Sequence, residues 1–187
     1  AVRAKERGIP VVLDPVGAGA TRLRTETVHR LIEAAPPAII RGNASEIRAV
    51  LYAEQGTKGV DSTHRSEEAL EAAGALSERC GSVVSVSGAV DLIVKGGSLF
   101  RVANGHPMMP RVTGLGCTAT ALTGAFAAVN PSPLEAAAHA MAALGIAGEI
   151  AAERSAGPGS LQMHLLDALY GLSEEDVRKR LRMEAGL

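Results

Sequence analysis

The sequence predicts an α/β fold built on a mostly parallel central sheet. Short apolar runs at 10–14, 38–41 and 82–87 alternate with longer stretches of helical periodicity, and strands separated by helices pair in parallel. Each run ends in a polar or glycine-containing turn, the junction at which open parallel sheets present ligands.

The elements follow in order. Ala1-Val-Arg-Ala-Lys-Glu-Arg-Gly8 reads as the last turns of a helix stopped by glycine, and a start in mid-element implies a truncated chain. Pro10-Val-Val-Leu-Asp14 is the first strand, and Pro15-Val-Gly-Ala-Gly19 turns it into a helix over about 21–35. Residues 38–41 form the second strand, and Asn43 caps a helix to about 54 with Glu46 three residues on. A polar loop over 55–65 precedes a helix capped by Ser66 and running to about 79. Ser82-Val-Val-Ser-Val-Ser87 is the third strand. Segments 91–95 and 98–102, joined by Gly96-Gly97, form a hairpin expected at the sheet edge.

After a loop over 103–116, a small-residue helix spans 117–129. Ser132 caps the next, with Pro133 in its first position and Glu135 completing a capping box. That helix runs to about 154, Ala156-Gly-Pro-Gly159 breaks it, another spans about 160–169, and Ser173 with Asp176 opens a polar terminal helix.

A chain of 187 residues with 47% hydrophobic composition can bury one substantial core, so residues 1–187 are read as one domain. Its 19 Lys and Arg against 20 Asp and Glu produce no long-range field, and its four aromatics, Tyr52, Phe100, Phe126 and Tyr170, are scattered. Nucleic acid and anionic membrane are therefore not expected partners. Glu135, His139 and Glu149 interrupt the most apolar stretch, 134–152, which is read as a buried helix rather than a membrane span. Cys80 and Cys117 lack metal-ligand spacing and fit a reducing, cytoplasmic compartment. No histidine pair has zinc spacing, and His106 is assigned to loop packing.

Three constellations could carry chemistry. In Val112-Thr-Gly-Leu-Gly-Cys-Thr118, Gly114 and Gly116 allow close backbone approach, and the N–H groups and dipole of the following helix attract an anion such as a phosphoryl group. The same field favours a thiolate in the first turn, which singles out Cys117. A tight loop before a small core cysteine explains the motif equally well. In Arg41-Gly-Asn-Ala-Ser-Glu46, Asn43 and Glu46 share a helical face and could hold water around magnesium, while Arg41 offers a phosphate fork. A capping box beside a solvated arginine is the plainer explanation. Asp14, also at a strand end, is either a turn former or a metal-water or nucleotide contact. Ser87-Gly88 could approach a nucleotide or simply turn the chain.

Taken in order, Asp14-Pro-Val-Gly-Ala-Gly-Ala-Thr21, Arg41-Gly-Asn-Ala-Ser-Glu46, Val86-Ser-Gly88 and Thr113-Gly-Leu-Gly-Cys117 resemble the hydroxyethylthiazole kinases of the ribokinase-like superfamily. The resemblance spans nearly the whole chain. It implies a three-layer α/β/α fold, of which this chain corresponds to the carboxy-terminal two-thirds, and ATP- and magnesium-dependent phosphorylation of 4-methyl-5-(2-hydroxyethyl)thiazole in thiamine salvage. By the resemblance, Arg41 and Ser87 contact ATP, and Asn43, Glu46 and Asp14 lie by Mg2+. Gly114 lines the thiazole site, Gly114 to Cys117 form the anion hole, and Cys117 takes the catalytic-base position. A homotrimer with sites between subunits is implied as well. Three other readings stand beside it: a kinase of a pyrimidine or pyridoxal-type alcohol, a non-catalytic nucleotide-binding remnant or subunit, and a thiol hydrolase in which Cys117 attacks with a histidine partner.

Overall fold

Valine and isoleucine dominate the three apolar runs, and a strand buried on both faces alternates its side chains between two helical layers. The computed structural model describes residues 1–52 and 65–186. In it, β1 (Val12–Leu13), β2 (Ile39–Asn43) and β3 (Val83–Ser87) run parallel. The sheet continues antiparallel through β4 (Asp91–Lys95), β5 (Ser98–Val102) and β6 (Met183–Gly186), so spatial order follows chain order.

One face is covered by α2 (Arg22–Ala34), α3 (Ala44–Leu51) and α4 (Arg65–Cys80). Here Ile40, Val84, Leu92 and Val94 meet Val28, Ile32, Ile47, Val50 and Leu76. The opposite face receives Ile39, Val83, Ile93 and Val102, which pack on α5 (Leu115–Val129) and α6 (Pro133–Ala152) through Ala127, Ala136, Ala137 and Ala142. Alanine lets these two helices lie close to the sheet and to each other. Helix α7 (Pro158–Tyr170) packs outside α6 through Leu161 and Leu165, and α8 (Glu174–Arg180) leads to β6. The result is the three-layer α/β/α arrangement. Helix α6 is long and apolar enough to cross a membrane by length and composition, yet 72% of its apolar window is buried within the protein.

Local signals account for most boundaries. Pro10 and Pro15 flank β1 and cut it to two paired residues, because proline donates no ladder hydrogen bond. Helix α1 (Val2–Glu6) ends before Gly8, which is left-handed at φ 66°. The Thr21 hydroxyl accepts from the Arg24 N–H at 3.3 Å, and Asn43 and Glu46 form a reciprocal capping box, as do Ser173 and Asp176.

Five expectations need correction. Strand β6 was not foreseen: it is a short, largely exposed Met-Glu-Ala-Gly segment that becomes a strand only by pairing with β5. The 91–102 hairpin is consequently inside the sheet, not at its edge. Helix α5 starts at Leu115, two residues before the expected 117, because Gly114 adopts φ 82° and its carbonyl already accepts the Thr118 N–H at 3.0 Å. Ser132 accepts from the Glu135 N–H, but the return bond of a capping box is not made. Ser66 does not take the cap position, because α4 already includes Arg65; the loop expected over 55–65, apart from that residue, falls outside what is described.

Candidate active site

All three parallel strands end on one edge, at Asp14, Asn43 and Ser87, and the amino-terminal turn of α5 meets that edge. Strand alternation sends Arg41 to the α5 face, the side of its neighbour-but-one Ile39. Its Nη1 donates to the Gly116 carbonyl at 3.2 Å and lies 3.8 Å from Asp14 Oδ2. That carboxylate oxygen also accepts a 2.6 Å hydrogen bond from the Thr120 hydroxyl. A Cβ on Gly116 would sit 3.1 Å from Arg41 Nη1, so glycine is what lets the guanidinium reach the helix.

Gly116 and Cys117 are the second and third residues of α5. Among the described residues their backbone N–H groups have no acceptor, as the opening of a helix requires. They offer two donors and the positive end of the dipole to an anion. Cys117 is exposed, and among the described residues no hydrogen bond joins it to a histidine of the kind a thiol hydrolase needs.

Glu46 performs two local tasks. Oε2 accepts from the Asn43 N–H and Oε1 from the Gly17 N–H, each at 3.0 Å, while Asn43 Oδ1 accepts from the Glu46 N–H at 2.9 Å. The carboxylate thereby pins the turn after β1 to the start of α3, beside Asp14. Among the described residues, no three His, Cys, Asp or Glu side chains cluster tightly enough to hold a bare metal ion. A hydrated magnesium ion, which keeps several waters and needs only one or two carboxylates plus phosphate oxygens, fits this donor set.

A cavity of about 740 Å³ opens over the same edge. Arg41, Asn43, Ser87 and Gly116 line it; Gly114 and Cys117 do not, although they flank Gly116 on the same turn. Its apolar wall includes Met109, Val112, Leu115, Met141 and Leu144. The loop carrying Asn104 and Met109 lies on α6 at Gly145 and Gly148, where an added Cβ would fall 2.6 Å from Asn104 and 2.3 Å from Met109. His106, read as loop packing, lines the cavity as well and accepts the Met108 N–H at 3.2 Å on Nδ1.

Two further residues escaped the sequence reading. Thr120 follows Gly116 by four positions and hence shares its helix face, but its contact with Asp14 is made across 106 residues and carries no local signal. Asp91 opens β4, is 7% exposed, lines the cavity and accepts the Gly88 N–H at 2.9 Å. Burial pushes its carboxyl up to about 6, opposed by the Gly88 hydrogen bond and the Arg41 charge. Its signal was an acid four residues after Ser87, across the turn between two strands.

Residues 1–175 match the family model described as the hydroxyethylthiazole kinase family. The chain belongs to that family. The hydroxyethylthiazole kinase of Syntrophus aciditrophicus (strain SB) is 58% identical over 187 residues, which are 100% of this chain and 69% of that protein. The structure of the Pyrococcus horikoshii OT3 hydroxyethylthiazole kinase matches 100% of this chain and 69% of its own, with TM-score 0.90 and 39% identity. The chain thus spans about two-thirds of these family members. Staphylococcus aureus pyridoxal kinase in complex with AMP-PCP and pyridoxal shares the fold, with TM-score 0.63 and 18% identity over 95% of this chain and 62% of its own. The architecture is ribokinase-like, as the family implies.

Proposed function

We propose that the protein transfers the γ-phosphoryl group of ATP to the hydroxyl of 4-methyl-5-(2-hydroxyethyl)thiazole in thiamine salvage. The observation that carries this reading is Arg41, which reaches from the middle of β2 to the first turn of α5 and stands 3.8 Å from Asp14. It brings phosphate-binding cation, helix dipole and acidic edge to one point. Belonging to a family of kinases supplies the reaction class.

Arg41 and Ser87 hold the nucleotide, the former by a charged fork suited to phosphate. The transferring group sits at the N–H groups that open α5, between Gly114 and Cys117, with Gly114 also against the thiazole alcohol. Asn43, Glu46 and Asp14 hold Mg2+ through its waters; when bound, the ion neutralises developing charge on the phosphates. The bond from the γ-phosphorus to the β-phosphate oxygen breaks as one to the alcohol oxygen forms. In so loose a transition state, alignment and charge stabilisation outweigh early proton removal. Cys117 therefore positions the hydroxyl or takes its proton late. The same reading makes the protein a cytoplasmic homotrimer, with neither nucleic acid nor membrane as partner and residues 1–187 forming part of one ribokinase-like domain.

The test is formation of the thiazole phosphate from ATP, magnesium and the alcohol by the purified protein. Replacing Asn43 and Glu46 together by alanine should abolish turnover while nucleotide still binds. Undiminished turnover in that variant would remove the metal assignment, and absence of product from the unaltered protein would remove the reading.

A further inference from the structure

We propose that Asp91 is the ribose-recognition residue of the nucleotide site, its carboxylate accepting a hydrogen bond from a ribose hydroxyl of ATP. The inference rests on the reading of Arg41 and Ser87 as contacts to ATP, Arg41 to its phosphates, and adds to it a residue that the phosphate chemistry does not need.

The first support is unspent hydrogen-bonding capacity. Asp91 is 93% buried by its 7% exposure, yet its fold-internal hydrogen bonding among the described residues is a single contact, Gly88 N–H to Oδ1 at 2.9 Å. Oδ2 has no partner among those residues, and it is not among the sealed, unpaired atoms of the interior. A carboxylate oxygen in that state faces the cavity that Asp91 lines. Desolvation strengthens what it accepts, because a hydroxyl donating to a carboxylate makes one of the stronger hydrogen bonds available.

The second support is position. The register Val86↔Leu92 continues to Ser87 opposite Asp91, and Ser87 in turn pairs with Asn43 on β2. Asp91 therefore stands two strands from Asn43 along the sheet edge, about 10 Å away at the usual strand spacing, with Arg41 two residues further into β2 on the same face as Asp91. A nucleotide with its terminal phosphates at Arg41 and α5 extends across β3 toward β4, which brings the sugar over Asp91. Beyond it the apolar wall of Met109, Leu144 and Gly145 receives the base. A phosphate would be a poor neighbour for this acid, since like charges repel; an uncharged diol is the fitting one. The raised carboxyl, near 6 through burial, agrees with a charge that the fold leaves under-compensated and a ligand hydroxyl would relieve.

Calorimetric binding of ATP, 2′-deoxy-ATP and 3′-deoxy-ATP to the purified protein, to Asp91→Ala and to Arg41→Ala tests this. In the unaltered protein at least one deoxynucleotide should bind roughly tenfold or more weakly than ATP, the worth of a hydrogen bond to a charged group. In Asp91→Ala that ratio should fall to about one. A merely structural role would weaken all three nucleotides alike and leave the ratio standing, which would overturn the proposal, as would equal binding of all three by the unaltered protein. Should Asp91→Ala not fold, Asp91→Asn keeps an acceptor for Gly88 and should reduce the ratio severalfold; an unchanged ratio there overturns the proposal too. If Arg41→Ala binds ATP as tightly as the unaltered protein, the phosphate reading falls and the ribose contact with it. Arg41 dependence without any ribose discrimination removes the ribose contact alone.

Discussion

Replacing Asp91 by asparagine should make the protein more stable at neutral pH. The carboxyl is displaced by burial from 3.8 to about 6, so the folded state holds a proton that the unfolded chain has released. Stability therefore falls as pH rises through that window and stays low above it. Full ionisation of a group displaced so far costs on the order of 3 kcal/mol. Asparagine carries no charge to bury and keeps a carbonyl oxygen for the Gly88 N–H now bonded at 2.9 Å. Urea unfolding at pH 7 should show Asp91→Asn more stable than the parent by up to about 3 kcal/mol, and the gap should close below about pH 4, where both side chains are neutral. A variant no more stable at pH 7, or a gap that does not change with pH, would refute the assignment of a destabilising buried carboxylate. The gain in stability would accompany a loss in ribose discrimination, the pattern expected of a group held for function rather than for the fold.

Gly145→Ala should lower stability by about 1–3 kcal/mol despite alanine's better helix propensity, because its Cβ would press 2.7 Å from the Asn104 backbone; thermal unfolding checks this, and an unchanged or higher Tm would refute it. Gly116→Ala should weaken ATP binding while leaving stability little altered, since its Cβ meets only the movable Arg41 guanidinium, at 3.1 Å; calorimetry beside thermal unfolding separates the two effects. Thr120→Val deletes the 2.6 Å hydrogen bond to Asp14 and should reduce kcat severalfold with a stability loss of about 1 kcal/mol, read from steady-state kinetics and urea unfolding.

Much of the layer order could be read directly from local chemistry. The valine and isoleucine runs, the Asn43 and Ser173 caps and the Gly96-Gly97 turn each act within a few residues, so their effect survives in one dimension. Strand β6 does not, because Met183 to Gly186 has neither alternation nor burial of its own and owes its conformation to β5. The loop expected over 103–116 takes in Leu115 and Gly116, whereas one left-handed residue, Gly114, suffices to end the loop. At the site, Asp14, Arg41, Asn43, Glu46, Ser87 and Gly116 were legible as strand-end and helix-start residues. Thr120 and Asp91 were not, since their importance lies in contacts 106 residues away in one case and in a cavity shared by separate segments in the other. The double use of Glu46, as cap for α3 and anchor for Gly17, likewise depends on tertiary packing.

The most direct measurement is a crystal structure of the protein with AMP-PCP and magnesium. The account predicts the terminal phosphate between the Arg41 guanidinium and the N–H groups of Gly116 and Cys117, with the metal's waters on Asp14 and Glu46. Phosphates bound away from the first turn of α5, with Arg41 still turned to the Gly116 carbonyl, would contradict it.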